Sequence, residues 1–204
     1  STKFFQIKKM DKKIILASKS KVRKSILDKN NIENFVEPSN VDEDLVKSSL
    51  LNENASPETI SKNLAELKAN KVSMKKPNKL VLGADSVIDL EGELISKPGS
   101  RDEAIKILKK LNGKVHYLIS SVCISKDGVM VWNYTDRAKL TMKVFTENEL
   151  EIYLSKISDE ALYSYNVYQI EGEGRALFSK IEGDENTIMG LPIDKIKDYL
   201  KNYE

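Results

Sequence analysis

The sequence predicts an α/β protein built on a mixed β-sheet. Three observations carry that prediction. Helix-start signals alternate with apolar strand runs along the chain. The turn pairs Glu91-Gly92 and Asp127-Gly128 each fold one strand run back on another, so part of the sheet is antiparallel. The opening run KIILA, Lys13 to Ala17, is apolar enough to be buried on both faces, as strands of parallel sheets are.

The elements follow in order. After KIILA comes the polar stretch SKSK, then a helix carrying Val22, Ser25, Ile26 and Leu27 as far as Lys29. Strand, short polar turn and helix together aim backbone N–H groups at an anion. From Phe35, FVEPSNVDED reads as a short strand ending in an acidic loop. Ser56-Pro57 opens the clearest helix, a capping residue followed by proline in the first turn. Its apolar stripe is Ile60, Leu64 and Leu67, with Lys68 at the border. KLVLGADSVIDLEGELISKP is a strand, a tight turn and a returning strand. Ser100 and Glu103 form a capping box ahead of Ala104, Ile107, Leu108 and Leu111, and Gly113 stops that helix. Two strands flank Asp127-Gly128. Thr146 and Glu149 form a second capping box before Leu150, Tyr153 and Leu154. A Gly-punctuated stretch leads to a last helix with Ile193, Ile196, Tyr199 and Leu200.

Composition narrows the function classes. A length of 204 residues suits one large domain or two closely joined lobes. The 33 Lys+Arg against 31 Asp+Glu leave a formal charge of +2, no bulk field for nucleic acid or an anionic membrane. Aromatic residues at 7% show no cluster of base readers. One Cys forms no internal disulfide, which points to a reducing compartment, and one His with one Cys excludes zinc sites built from several of them. No run approaches a membrane span, and the apolar part of STKFFQIKKMDKK is too short for a signal-peptide core. A soluble, cytoplasmic protein without nucleic-acid or membrane partners is therefore expected.

Chemistry must then rest on carboxylates and cations. His116 and Cys123, seven apart on one strand, face opposite sides and read as a structural residue and a small core hydrophobe. Asp85 interrupts VLGADSVI, a run that otherwise calls for burial, and Gly83 before it permits close approach of backbone or ligand. A buried carboxylate needs a metal, a cation or a strand-end position. Asp89 shares its strand face but falls near the turn, while Asp42 and Glu43 read as solvated loop charges or as partners of Asp85. Ser20 and Arg23 sit where a hydroxyl and a guanidinium can join backbone N–H groups around a phosphate. With Lys68 and Lys97 they suggest a phosphate-and-metal site. Neither GxxxxGK[ST] nor GxGxxG is present, which disfavours Walker-type ATPases and Rossmann dehydrogenases.

Taken together, these residues resemble the Maf family of nucleoside triphosphate pyrophosphatases. The resemblance runs from about Ile14 to Leu200. It is carried by LASKSKVR against LASxSPRR, and by Pro38-Ser39-Asn40-Val41-Asp42-Glu43 against PSxxDE. Ala65-Glu66-Leu67-Lys68-Ala69 matches AxxKA, Gly83-Ala84-Asp85-Ser86 matches GAD[ST], and Lys97-Pro98 matches KP. Gly113 to His116, Ile181 to Asp184 and Gly190 to Pro192 complete the series. The resemblance implies a single domain at 13–204 behind an N-terminal extension at 1–12. Its elongated mixed sheet, flanked by helices, would have two lobes around a central cleft, similar to inosine triphosphate pyrophosphatases. It implies hydrolysis of a nucleoside triphosphate to the monophosphate and pyrophosphate, in a nucleotide house-cleaning role. A divalent cation, magnesium or manganese, and a homodimer are also implied.

By the same resemblance Asp85 is the catalytic proton acceptor, and Asp85 with Glu43 serves the metal. Ser20, Arg23, Lys68 and Lys97 line the triphosphate. Val22, Ser86 and Glu171 stand at specificity positions. The branch acting on dTTP and UTP usually has Arg, Thr and Gln there. Glu171 instead resembles the branch acting on 7-methyl-GTP, although that branch has Trp at the Val22 position. A carboxylate accepts from a guanine edge and offsets a methylated, cationic base, so a modified or purine-type base is favoured. The competing reading is a nucleotide-binding regulatory module, related to cell division, with little turnover.

Overall fold

The computed structural model describes residues 13–203; the proposed extension at 1–12 lies outside the described residues. Among the described residues seven strands form one sheet: β1 (Ile14–Leu16), β2 (Asn34–Val36), β3 (Leu80–Leu90), β4 (Glu93–Ile95), β5 (Val115–Lys126), β6 (Val129–Met142) and β7 (Phe178–Glu182). Their order is β2-β1-β3-β5-β6-β7, with β4 pairing with β3. β1 runs parallel to β2 and β3, and the other pairings are antiparallel, so the sheet is mixed as expected. The fully buried triplet of β1 fits its place between two parallel neighbours. Glu91 and Gly92 (φ 52° and 89°), like Asp127 and Gly128 (φ 52° and 82°), adopt the paired positive φ of tight hairpin turns.

Eight α-helices flank the sheet among the described residues: α1 (Lys21–Lys29), α2 (Glu43–Asn52), α3 (Pro57–Ser73), α4 (Arg101–Leu111), α5 (Glu147–Ser155), α6 (Asp159–Tyr165), α7 (Glu185–Met189) and α8 (Ile193–Asn202). Ser56 caps α3, with Pro57 in its first turn. Thr146 and Glu149 complete a reciprocal capping box on α5. At α4 only half of the expected box forms: Ser100 accepts from the Glu103 N–H, but the Glu103 carboxylate takes the N–H of Gly99, 2.6 Å away. The predicted acidic loop also needs correction. Asp42 caps α2, and Glu43 and Asp44 fill its first turn, where the helix dipole favours carboxylates.

Among the described residues two large cores divide the molecule, with two small clusters beneath α3. One gathers β1, α1 and α8 around Leu16, Leu27 and Ile196, with Leu80, Leu82 and Ala84 from β3 and Val122 and Ile124 from β5. The other gathers α4, α5, α6 and β7, with Ile88 and Leu90 from β3 and Leu118 from β5. β3 and β5 thus thread both lobes. At the changeover the strands turn polar together: Asp85 pairs in register with Ser121, and Ser86 with Ser120. The cleft opens at this polar waist.

Candidate active site

Asp85 is 5% exposed although it sits in mid-strand. Its position is set by Gly83, where the strand and α3 approach so closely that a Cβ would lie 2.3 Å from the carbonyl oxygen of Ala65. That contact seats α3 against β3 and drives Lys68 into the cleft. Lys68 is 8% exposed, whereas Leu67 is 42% exposed. The inward stripe of α3 is therefore Ile60, Leu64, Ala65, Lys68, Ala69 and Val72, with the lysine in the place expected for Leu67.

The Lys68 ammonium makes three contacts. Nζ lies 3.2 Å from Asp85 Oδ1, 3.2 Å from the Ala84 carbonyl and 2.8 Å from Glu43 Oε1. Glu43 is consequently a member of the site rather than a solvated loop charge. The other Asp85 oxygen, Oδ2, is buried with no hydrogen-bond partner. Burial raises the Asp85 carboxyl above its ordinary value, although the charges of Lys68 and Arg23 pull the other way. For Glu43 burial also acts upward, but Lys68, helped by Lys47 and Lys97, outweighs it and the carboxyl lies below its usual value.

On the opposite wall, α1 begins directly after β1 and the loop Ser18-Lys19-Ser20. Ser20 caps the helix, its Oγ accepting from the Arg23 N–H. The first turns of α2, α4, α5 and α6 carry acids, but that of α1 carries none. Its unpaired N–H dipoles therefore face the cleft without a carboxylate to quench them, an arrangement suited to an anion. The Arg23 guanidinium is anchored by Nε to Gly190 O (2.9 Å), Nη1 to Ser18 Oγ (3.3 Å) and Nη2 to Ser86 Oγ (3.2 Å). Five N–H donors less three anchors leave two for a ligand. Burial, opposed by Asp85 and Glu43, lowers its pKa, yet a guanidinium stays charged. Lys97 lines the cleft near the end of β4, lowered first by burial and then by the Arg23 charge.

A hydroxyl chain joins the walls. Arg23 donates to Ser86 Oγ, which lies 2.7 Å from Ser120 Oγ, and Ser120 donates to Thr187 O at 2.7 Å. Because Ser120 spends its hydrogen on the carbonyl, Ser86 donates to Ser120. Sequence reasoning missed Ser18, Lys47 and Ser120. Ser120 had a readable signal: SS in VHYLISSVCI and DS in LVLGADSVI are matching polar breaks in two strand runs.

The cleft measures about 380 Å³, within the range of small-molecule sites. Ser20, Val22, Arg23, Glu43, Lys68, Asp85, Ser86, Lys97 and Glu171 all line it, so these nine residues picked from sequence converge there. Glu171 is exposed and accepts from Gln169 Nε2 at 3.2 Å. Asp89, by contrast, accepts the Gly92 N–H in the hairpin turn. His116 and Cys123 stand apart from this chemistry. His116 is fully buried, hydrogen-bonded through Nε2 to Tyr168 Oη at 2.8 Å, and burial lowers its pKa to about 4. Burial pushes the Cys123 thiol up to about 11, so it is inert at neutral pH.

The donor set also bears on a metal. No group of three or more His, Cys, Asp or Glu suited to an ion occurs among the described residues. Asp85 Oδ2 is a buried acceptor lacking a donor, and Glu43 brings a second carboxylate to the same ammonium. Two carboxylates fit a hard, oxygen-seeking cation whose remaining ligands come from phosphate and water; they do not fit zinc.

Comparison with known proteins identifies relatives of the whole chain. The chain is 71% identical over 192 residues to a protein of Pelagibacter ubique named nucleoside triphosphate pyrophosphatase, covering 94% of this chain and 98% of that one. It is 38% identical over 184 residues to a 7-methyl-GTP pyrophosphatase of Brucella abortus, covering 90% and 92%. A HAM1 protein structure from Coxiella burnetii superposes with a TM-score of 0.50 at 9% identity, over 94% of this chain and 99% of that one, a likeness of fold alone. The family model described as Maf-like protein matches residues 13–203, and the chain belongs to that family.

Proposed function

We propose that this protein hydrolyses a nucleoside triphosphate between the α and β phosphates, releasing the monophosphate and pyrophosphate. One observation carries the reading: a buried carboxylate with a free oxygen, Asp85 Oδ2, faces a cleft whose other wall is cationic. The relatives named as pyrophosphatases support it over a binding module with little turnover.

The chemistry follows from the placement of the charges. The α1 N-terminus, the two spare Arg23 donors and Lys97 hold phosphate oxygens and orient the scissile bond. Asp85 accepts the proton of the attacking water. Its raised pKa makes it a stronger base than an exposed aspartate. Lys68 keeps Asp85 Oδ1 engaged, so Oδ2 is the free oxygen. A magnesium or manganese ion held by Asp85 and Glu43 would neutralise charge building on the leaving pyrophosphate. Glu171 at the outer rim accepts from the base edge, favouring a modified or purine-type base over dTTP or UTP. A homodimer and a cytoplasmic location belong to the same reading; no helix among the described residues is long and apolar enough to cross a membrane.

Pyrophosphate release from natural and methylated nucleoside triphosphates, with and without magnesium or manganese, tests the proposal. Metal-dependent release from at least one substrate is expected. Tight nucleotide binding without turnover across the panel would favour the regulatory module instead.

A further inference from the structure

Lys68 occupies a position that a phosphate-binding lysine does not require. Its ammonium is held inside the protein, donating to Asp85 Oδ1 and Ala84 O at 3.2 Å each and ion-paired with Glu43 Oε1 at 2.8 Å. The two carboxylates it bridges are the same two suited to a divalent cation. They carry two negative charges, and the ammonium already offsets one of them. No third acidic or imidazole group joins them among the described residues.

A divalent cation arriving alone thus meets two carboxylates with a positive charge lodged between them, and the Arg23, Lys47 and Lys97 charges act on the same pair. The outcome differs for a cation that arrives on a triphosphate. Phosphate oxygens supply the missing ligands and give the Lys68 ammonium new acceptors, so it can release the carboxylates without being left buried and unpaired. The Lys68–Glu43 contact links α3 to the first turn of α2, a helix with no buried residue. Exchange of partners there breaks no core packing.

We propose that Lys68 is a built-in counter-cation that closes the two-carboxylate site to free divalent metal and opens it to the metal–triphosphate complex. Lys68 is in this sense a positioning residue. It couples metal entry to nucleotide, and by linkage each ligand strengthens the other by the same factor. The inference rests on the metal-dependent reading above, and its test separates the two.

The probe is manganese, followed by loss of the free-ion paramagnetic resonance signal. It is titrated into the protein alone and into the protein saturated with an α,β-methylene nucleoside triphosphate, which cannot be cleaved at that bond, and the second titration is read against the same analogue without protein, since a triphosphate itself takes up manganese. The unmodified protein is expected to bind manganese at least roughly tenfold more weakly alone than with the analogue, a coupling of about 1.4 kcal/mol. Lys68→Met keeps an unbranched apolar stem in the same channel and removes the charge. It is expected to bind manganese alone roughly tenfold more tightly, so the difference made by the analogue shrinks. Lys68→Arg, retaining the charge, is expected to behave as the unmodified protein does. Should Lys68→Met fail to fold by circular dichroism, Lys68→Gln, still able to hydrogen-bond both carboxylates, takes its place.

Unchanged manganese affinity in the uncharged variant overturns the proposal and leaves the pyrophosphatase reading standing. Equal affinity with and without the analogue in the unmodified protein does the same. No manganese uptake beyond that of the analogue alone overturns the metal reading, and the proposal with it.

Discussion

Gly83→Ala is the smallest change that reaches the site through the fold. The added Cβ would lie 2.3 Å from Ala65 O, 2.7 Å from Ala69 N and 2.9 Å from Ala69 Cβ, where ordinary contact begins near 3.4 Å. Two of these atoms are helix backbone, so no side chain can rotate away. α3 must retreat from β3 by roughly 1 Å, an overpacking that costs about 1–3 kcal/mol. For a chain of this size the melting temperature should fall by about 3–10 °C. The retreat carries Lys68, one residue before Ala69, away from Asp85 and Glu43. A misplacement near 1 Å is worth on the order of 10²-fold in turnover. Thermal denaturation and pyrophosphate release, measured on one preparation, should therefore fall together. A Gly83→Ala protein with unchanged melting temperature and turnover would refute the reasoning.

Two further outcomes are expected. His116 is fully buried with its pKa lowered from 6.5 to about 4, so between those values the unfolded chain binds a proton that the folded chain does not. Stability is then lost as pH falls through that window, by up to about 3 kcal/mol. Asp85, raised by burial, works in the opposite direction, so the test is the difference in denaturant midpoint between the protein and His116→Phe across pH 7 to 4; parallel curves would remove His116 as the cause. Glu171→Gln should shift the kcat/KM ratio away from 7-methyl-GTP toward UTP by roughly tenfold; an unmoved ratio would remove Glu171 from base selection.

Local signals carried much of the fold. Ser56-Pro57, Thr146 with Glu149, and the two hairpin turns each act within a few residues, and each element stands where its signal lies. α2 was marked only by Asp42, Glu43 and Asp44 at its start; none of its residues is buried and Leu45 is 66% exposed, so no apolar stripe extends that signal. α6 and α7, of 7 and 5 residues, are too short to show a period. The site divides along the same line. Asp85 was legible because a carboxylate inside an apolar strand run is costly unless it is used. The inward turn of Lys68 was not legible, since it depends on how closely Gly83 lets α3 approach and on partners 17 and 25 residues away, at Asp85 and Glu43. The pairing of Ser86 with Ser120 arises only once β3 and β5 align, and the capture of Arg23 by Gly190 spans 167 residues, so neither leaves a local trace.

Asp85→Asn tests the central claim most directly. The substitution is nearly isosteric and removes a buried charge whose pKa is raised, so the folded protein should lose no stability beyond that of the Lys68 contact. Pyrophosphate release from the best substrate is predicted to fall on the order of 10²–10⁴-fold, as for loss of a general base, while circular dichroism stays unchanged. Undiminished turnover in a folded Asp85→Asn protein would contradict the account.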